Sequence, residues 1–233
     1  MKKIFLVSVL LMLVAICFAQ TEVTIQEIQY TEDAGDGTYP SPYQDQAITT
    51  TGIVSGYHFS GEKFFITMPE GGAWKGIYVY DFSDAVSLGD QVEVTATVQE
   101  YYGLTELSDC TVTVVGSGTV PEPVSITTNE LATSEAYEGV LVKISDVSVT
   151  EELNEYGEWY VDDGTGACQI DDGFFSLEDE GISVTAGDTW DEIIGIVNYS
   201  YEEYELHPRT AEDMNEEVST NSKSWGRVKS LYK

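Results

Sequence analysis

The chain has 233 residues, with 41 Asp and Glu against 10 Lys and Arg and a formal charge of −31. An acidic excess of this size disfavours a protein that grips nucleic acid through a basic patch. Hydrophobic residues at 42% and aromatics at 12% are globular values, so the acidity does not indicate general disorder, and the length allows one large domain or two small ones.

Met1-Lys2-Lys3 is a short basic start, followed by an apolar run from Ile4 to Ile16 that is too short to span a bilayer comfortably. Cys17-Phe18-Ala19 then places small residues at the −3 and −1 positions of a cut after Ala19, the pattern of a secretory signal peptide over 1–19. An uncleaved anchor and a lipoprotein acylated at Cys17 are the competing readings; Ile16 is bulky for the residue before a lipidated cysteine. Loss of 1–19 removes two lysines and no acid, which takes the charge from −31 to −33. The expected mature protein is exported: extracellular, periplasmic or at the cell surface. Two cysteines remain, Cys110 and Cys168. Export permits a disulfide, but they fall in different halves of the chain, and buried free thiols are the reading preferred. With only His58 and His207 beside them, they cannot form a standard zinc site.

Short runs of period-two alternation predict strands at 47–59, 62–68, 76–82, 90–100 and 107–115. A second series follows at 138–150, 157–162, 167–171, 189–199 and 203–207. The two series are copies of one unit. Val86-Ser-Leu-Gly89-Asp90 opening an alternating strand matches Val184-Thr-Ala-Gly187-Asp188. Each is followed by a Tyr-rich turn and a Glu-Leu strand, Glu106-Leu107 in one and Glu205-Leu206 in the other. Upstream, Ile48-Thr-Thr-Thr-Gly52-Ile53-Val54 is aligned with Tyr137 to Ile144 through Gly139. The Gly/Pro stretch from Gly116 to Pro123 divides the units, and Thr127 to Ala136 predicts one short helix with a threonine cap. The predicted division is 20–118, 119–215 and a tail at 216–233. Units of this size solve the edge-strand problem as five-stranded Greek-key barrels, so the fold class expected is all-β, two tandem OB-like barrels with at most one short helix each.

Thr24 to Gln29, Pro40-Ser41-Pro42-Tyr43, Ile48 to Val54, Phe64-Phe65-Ile66, Trp74 to Tyr80, Gly89 to Val94 and Tyr101 to Leu107 together resemble the OB-fold modules of secreted bacterial proteins. Leu206-His207-Pro208-Arg209 through Asp213 is similar to the end of such a module. These modules accompany extracellular nucleases of the endonuclease/exonuclease/phosphatase type and multidomain surface proteins. The resemblance implies the fold over about residues 23–215. The catalytic domain of that context is not in the sequence, so its activity is not expected here.

The candidate site is an aromatic barrel face. Tyr78 and Tyr80 alternate with Ile77 and Val79, so if the aliphatics point inward the tyrosines share the outer face. Phe65 joins from the neighbouring strand, turns supply Tyr57, Phe59, Tyr101 and Tyr102, and Lys63, Trp74 and Lys75 stand at the rim. OB barrels bind on this face, where rings stack on bases or sugars. The competing reading is that the same residues pack against the second unit. The second unit lacks the platform: its outward positions are Gln169 and Asp171. Between 20 and 222 only Lys63, Lys75, Lys143 and Arg209 oppose 41 acids, a charge of −37. Phosphate recognition needs more cations than that. A neutral or weakly charged partner (a glycan, a peptide or a protein) fits better.

Asp33, Asp36, Asp162, Asp163, Asp171 and Asp172 lie in Gly-containing loops and are candidate calcium ligands. No segment has EF-hand spacing, and turn aspartates ordinarily accept backbone N–H bonds. No nucleophile elbow, metalloprotease helix or phosphate-cradling loop is present. His58 and His207 read as structural or exposed, and no catalytic activity or cofactor is expected. The tail has Trp225, Arg227, Val228, Lys229, Leu231 and Tyr232 on a short basic, amphipathic segment. It resembles brief Trp-Gly-x-Ile/Val-Lys-x-Leu-Tyr tails of some exported bacterial proteins. Docking on the acidic body, partner recognition, membrane contact and fraying are its competing readings. The function expected is a secreted, non-catalytic binding module. The alternatives are single-stranded nucleic-acid binding or service beside an extracellular nuclease, and a structural or adhesive surface protein held through its tail.

Overall fold

The computed structural model describes residues 21–57, 63–80 and 86–216. The predicted signal peptide, His58, Phe59 and the predicted tail interaction residues lie outside them. In the first half, β1 (Thr21–Glu22) leads through α1 (Ile25–Gln29) into β2 (Ala47–Tyr57), β3 (Lys63–Thr67), β4 (Gly76–Tyr80), β5 (Asp90–Tyr101) and β6 (Leu104–Ser117). The second half repeats the order: β7 (Val124–Ser125), α2 (Thr128–Thr133), β8 (Leu141–Glu151), β9 (Glu158–Asp162), β10 (Cys168–Asp171), β11 (Thr189–Ser200) and β12 (Glu203–His207), with β13 (Met214–Glu216) at its end.

Both halves are OB-like barrels with the same connectivity. In the first, β2 pairs antiparallel with β3, β3 with β4, and β5 with β6; β4 meets β6 in parallel, and β5 returns to β2 to close the ring. In the second, β8 to β12 make the same five contacts. Closure removes the exposed edges that an open sheet of short strands would present. The strands form because alternate residues fill the ring. Val92, Val94, Ala96 and Val98 of β5 point inward, as do Ile77 and Val79 of β4; Trp159, Val161 and Ile170 do so in the second barrel. The long β6 of the first barrel corresponds to β12 and β13 together. β13 pairs with β11 at Trp190, Glu192 and Ile193, where β6 pairs with β5 at Val92 to Val94.

The repeat begins earlier than the sequence alignment placed it. Thr24 and Glu27 form a capping box on α1, and Thr127 and Glu130 form the same box on α2. Each helix follows a two-residue strand that pairs in parallel with the first long strand of its barrel. The helix predicted over 127–136 is split: Ser134 is extended, and a 3₁₀ turn (Glu135–Tyr137) follows. Gly139, predicted within a strand, lies ahead of β8 at φ +71°. The alignment of Gly52 with Gly139 therefore does not hold. Gly52 pairs with Val92, and the residue standing where Val92 stands, Trp190, pairs with Val147.

No strand of one barrel pairs with a strand of the other among the described residues. They meet through side chains and loops. Phe65 packs in one apolar cluster with Leu141, Phe174 and Ile196, and Tyr78 and Val120 lie against it. Trp74 N–H donates to the Ala136 carbonyl at 2.6 Å. Arg209 holds Asp213 with Nε and Nη2 and reaches the Ser55 carbonyl with Nη1 at 3.3 Å. At Gly76 the backbones come so close that a Cβ there would overlap the Gly139 carbonyl. Cys168 is buried in the second barrel and Cys110 is half-buried in the first, and no disulfide joins them. No helix among the described residues is long and apolar enough to cross a membrane.

Candidate ligand-binding cleft

The register of the first barrel builds the outer face residue by residue. β3 and β4 set Phe65 opposite Tyr78 and Lys63 opposite Tyr80. β6 runs beside β4 with Glu106 next to Tyr78, and β5 brings Gln99 opposite Glu106 and Tyr101 opposite Leu104. Because Ile77 and Val79 are fully buried in the ring, the tyrosines face out, as the alternation predicts. The second barrel supplies the facing wall with Phe174, Asn198, Tyr199 and His207, and the space between is a cleft of about 460 Å³.

The face is divided between packing and access. Phe65 is 2% exposed, with its ring 4.9 Å from Tyr78 and 5.9 Å from Phe174 of the other barrel. Tyr78 is half-buried against the same cluster. Tyr80 and Tyr101 are open, at 37% and 54% exposed, and Lys63 Nζ lies 5.1 Å from the Tyr80 ring centroid. Part of this face is thus packed against the second barrel and part is open.

Three predicted members stand elsewhere. Trp74 and Lys75 precede β4, whose residues advance about 3.3 Å each, so they sit at the far end of the strand from Tyr80. Trp74 packs edge-on against Tyr30 with centroids 5.5 Å apart, and Lys75 pairs with Glu70 at 3.5 Å. Tyr102, at φ +52° in the β5–β6 turn, is 85% exposed and lines a separate recess with Gly35, Pro40 and Gly103. Tyr57 ends β2 exposed and does not line the cleft.

The loop aspartates mostly serve the backbone. Asp162 accepts N–H bonds from Gly164 and Gly166, at 2.6 and 3.1 Å. Asp163 accepts from Thr128 N–H and hydroxyl and from Thr165 N–H, tying the first turn of α2 to the β9–β10 loop. Asp33 accepts from Gly35, and Asp172 from Leu177. Asp171 alone of the calcium candidates joins other ligand-type groups. His207 Nε2 is 3.0 Å from Glu205 Oε1, and its Nδ1 is 3.8 Å from Asp171 Oδ1. Asn198 donates to Glu205 at 2.7 Å, and Gly173 N–H to Asp171 at 2.7 Å. One ligand atom from each of Asp171, Glu205 and His207 lies within 4.8 Å of the others, a donor set that can hold a metal ion.

Burial sets the proton affinities here. It raises the Glu106 carboxyl to about 7 against the pull of Lys63. It raises Asp171 to about 6 against the pull of His207. His207 resists charging through its burial, but Glu205, Asp171 and Asp172 outweigh that and raise its pKa. The sequence reading missed Glu106, Glu205, His207, Phe174, Asn198 and Tyr199. One signal was available: the Glu-Leu strand occurs in both copies, which puts a carboxylate at the same outward place in each barrel, beside Tyr78 in one and Gln169 in the other.

A family model described as "Domain of unknown function (DUF8508)" matches residues 119–219, the second barrel. No curated protein matches the chain. Solved structures with a similar course include the p204 HINb domain, 12% identical with a TM-score of 0.31, covering 67% of this chain and 90% of the other. The Ifi202 HINa domain in complex with 20bp dsDNA is 12% identical with a TM-score of 0.32, covering 70% and 92%. A murine DNA binding protein bound with ds DNA is 10% identical with a TM-score of 0.31, covering 70% and 93%. Likeness at this level bears on neither ligand nor activity.

Proposed function

We propose that the chain is an exported, non-catalytic binding module that seats a neutral, hydroxyl-rich ligand, a glycan, in the cleft between its barrels. The observation that carries this reading is the meeting of open ring faces with planar polar side chains in one concavity. Tyr80 and Tyr101 are 37% and 54% exposed at the cleft, while Gln99, Glu106 and Asn198 stand beside them as hydrogen-bonding partners for hydroxyls. Charge favours a neutral occupant. Lys63 is the one lysine lining the cleft among the described residues, and Glu106 and Asp109 line it too. Phosphate binding draws on several cations and the release of their counterions, which this surface does not supply. Export rests on the pattern of residues 4–19.

Affinity electrophoresis through gels containing neutral soluble polysaccharides tests the reading, with a single-stranded oligodeoxynucleotide run in parallel. Retardation by a polysaccharide that survives high salt and disappears in Tyr80→Ala with Tyr101→Ala is the expected result. Retention of the oligonucleotide alone, lost as salt rises, would replace it with the nucleic-acid alternative.

A further inference from the structure

Beside the cleft, the seam between the barrels holds three acids that ligand binding does not use: Glu100 of β5, and Glu135 and Glu138 of the segment ahead of β8. Glu138 is 2% exposed. Its Oε1 accepts the Thr105 N–H of the other barrel at 3.1 Å, and its Oε2 is buried without a partner. Glu100 Oε1 accepts from Ser41 N–H at 2.8 Å and the Thr105 hydroxyl at 2.9 Å, and its Oε2 is likewise unpartnered. Glu135 accepts the Tyr204 hydroxyl. Gln29 of α1 gives its amide N–H to the Gly76 carbonyl at 2.8 Å, and its Oε1 has no donor.

Among the described residues, no ion pair with a cation is formed by these groups. Lys75, Lys143 and Arg209 are committed to Glu70, Glu192 and Asp213, and Lys63 stands over Tyr80. The other titratable groups facing the cluster are Glu106, on which Glu100 acts, and the hydroxyls of Tyr204 and Tyr199, both made harder to ionise by burial and then by the neighbouring acids, Glu135 and Glu138 with Glu202 beside Tyr199. A carboxylate buried without a counter-ion is costly. A protonated one carries the O–H donor that the stranded acceptors lack.

We propose that this seam is a proton-operated latch: protonated Glu138 and Glu135 hold the two barrels together, and their ionisation loosens the contact. Burial, then the charge of Glu135, pushes Glu138 well above the ordinary carboxylate range, and burial raises Glu135 to about 7. Folded-state values above the unfolded ones stabilise the closed form fully below the unfolded pKa. That stabilisation is lost as pH rises through the folded value, about 7 for Glu135. The effect reaches the cleft wall, because Tyr204 packs on Tyr199 with ring centroids 4.8 Å apart and Tyr199 lines the cleft. The latch stands whatever the cleft binds.

The test needs no ligand. In the whole chain with carboxyl-¹³C glutamate, the resonance absent from Glu138→Gln should titrate well above the other glutamates of the exposed surface; titration among them, in the ordinary carboxylate range, would overturn the latch. Thermal unfolding should fall by about 5 °C or more from pH 6 to 8.5 in the wild type. The fall should shrink in Glu138→Gln, whose amide supplies the missing donor without a charge, and in Glu135→Gln. His207→Gln removes the imidazole's share of the slope and must leave the remainder in place. A Tm that is level or rising over this range, or a slope unchanged in both glutamine variants, would refute the proposal. Should Glu138→Gln fail to fold, Glu135→Gln and the wild-type carboxyl titration decide.

Discussion

The two barrels make the same five strand contacts and differ on the face that each strand turns outward. Inward, the equivalent positions agree in kind: Phe64 and Trp159, Ile66 and Val161, Val79 and Ile170, Leu107 and Leu206, all buried. Outward, on the same strands, they part. Lys63 and Phe65 face Tyr80 and Tyr78 in one barrel; Glu158 and Tyr160 face Asp171 and Gln169 in the other. On these paired strands one barrel thus turns rings outward. The other presents His207 with its two carboxylates, and Tyr160 is tied down by Glu203 at 2.7 Å. The ring of strands constrains only the residues it encloses, so the outer face is free to acquire a different chemistry in each copy.

Seven substitutions, in four sets, sharpen or break this comparison. Phe64→Ala and Trp159→Ala remove equivalent inward rings, and each should cost about 3–5 kcal/mol in denaturant unfolding. A cost below about 1 kcal/mol in either would show that its barrel does not depend on the shared core. Gly139→Ala adds a Cβ within 2.7 Å of Gly76 and Ile77 backbone atoms at a positive φ, so it should destabilise by about 2 kcal/mol. Apolar-dye binding should rise with it as the seam opens, and an unchanged unfolding curve would mean that the barrels do not rely on this contact. Tyr80→Ala and Tyr101→Ala should weaken polysaccharide binding by about 1–3 kcal/mol per ring while shifting stability within about 0.5 kcal/mol. Loss of the fold instead would assign these rings to packing. The smallest effect is expected at the helix caps. Thr24→Ala and Thr127→Ala should each cost about 1 kcal/mol, a Tm shift of about 2–4 °C. Unequal shifts would show that α1 and α2 are not equivalent supports.

Much of the fold was readable because period-two alternation and the Gly-Asp turns are local signals. Strands 90–101 and 189–200 fall within a residue or so of expectation for that reason. α1 escaped because five residues carry little periodicity, although Thr24 and Glu27 repeat at Thr127 and Glu130. The Gly52–Gly139 alignment failed because a glycine marks a turn in one copy and a close approach to Ile66 in the other, and composition alone does not separate the two. In the site, Tyr78, Tyr80 and Phe65 were legible from one strand pair. Trp74, Lys75 and Tyr102 were misplaced because nearness in sequence to a strand end says little about which end of the barrel a side chain occupies.

The sequence by itself determined the all-β class, the duplication and the outward tyrosines, since each follows from alternation within a strand or between two neighbours. Tertiary structure alone decided that Phe174 and Tyr199 roof the aromatic face, that His207 gathers Asp171 and Glu205, and that Glu100, Glu135 and Glu138 share one seam. These groups come from residues far apart in the chain. Burial against the other barrel changes their proton affinity and access, and no local pattern encodes that contact.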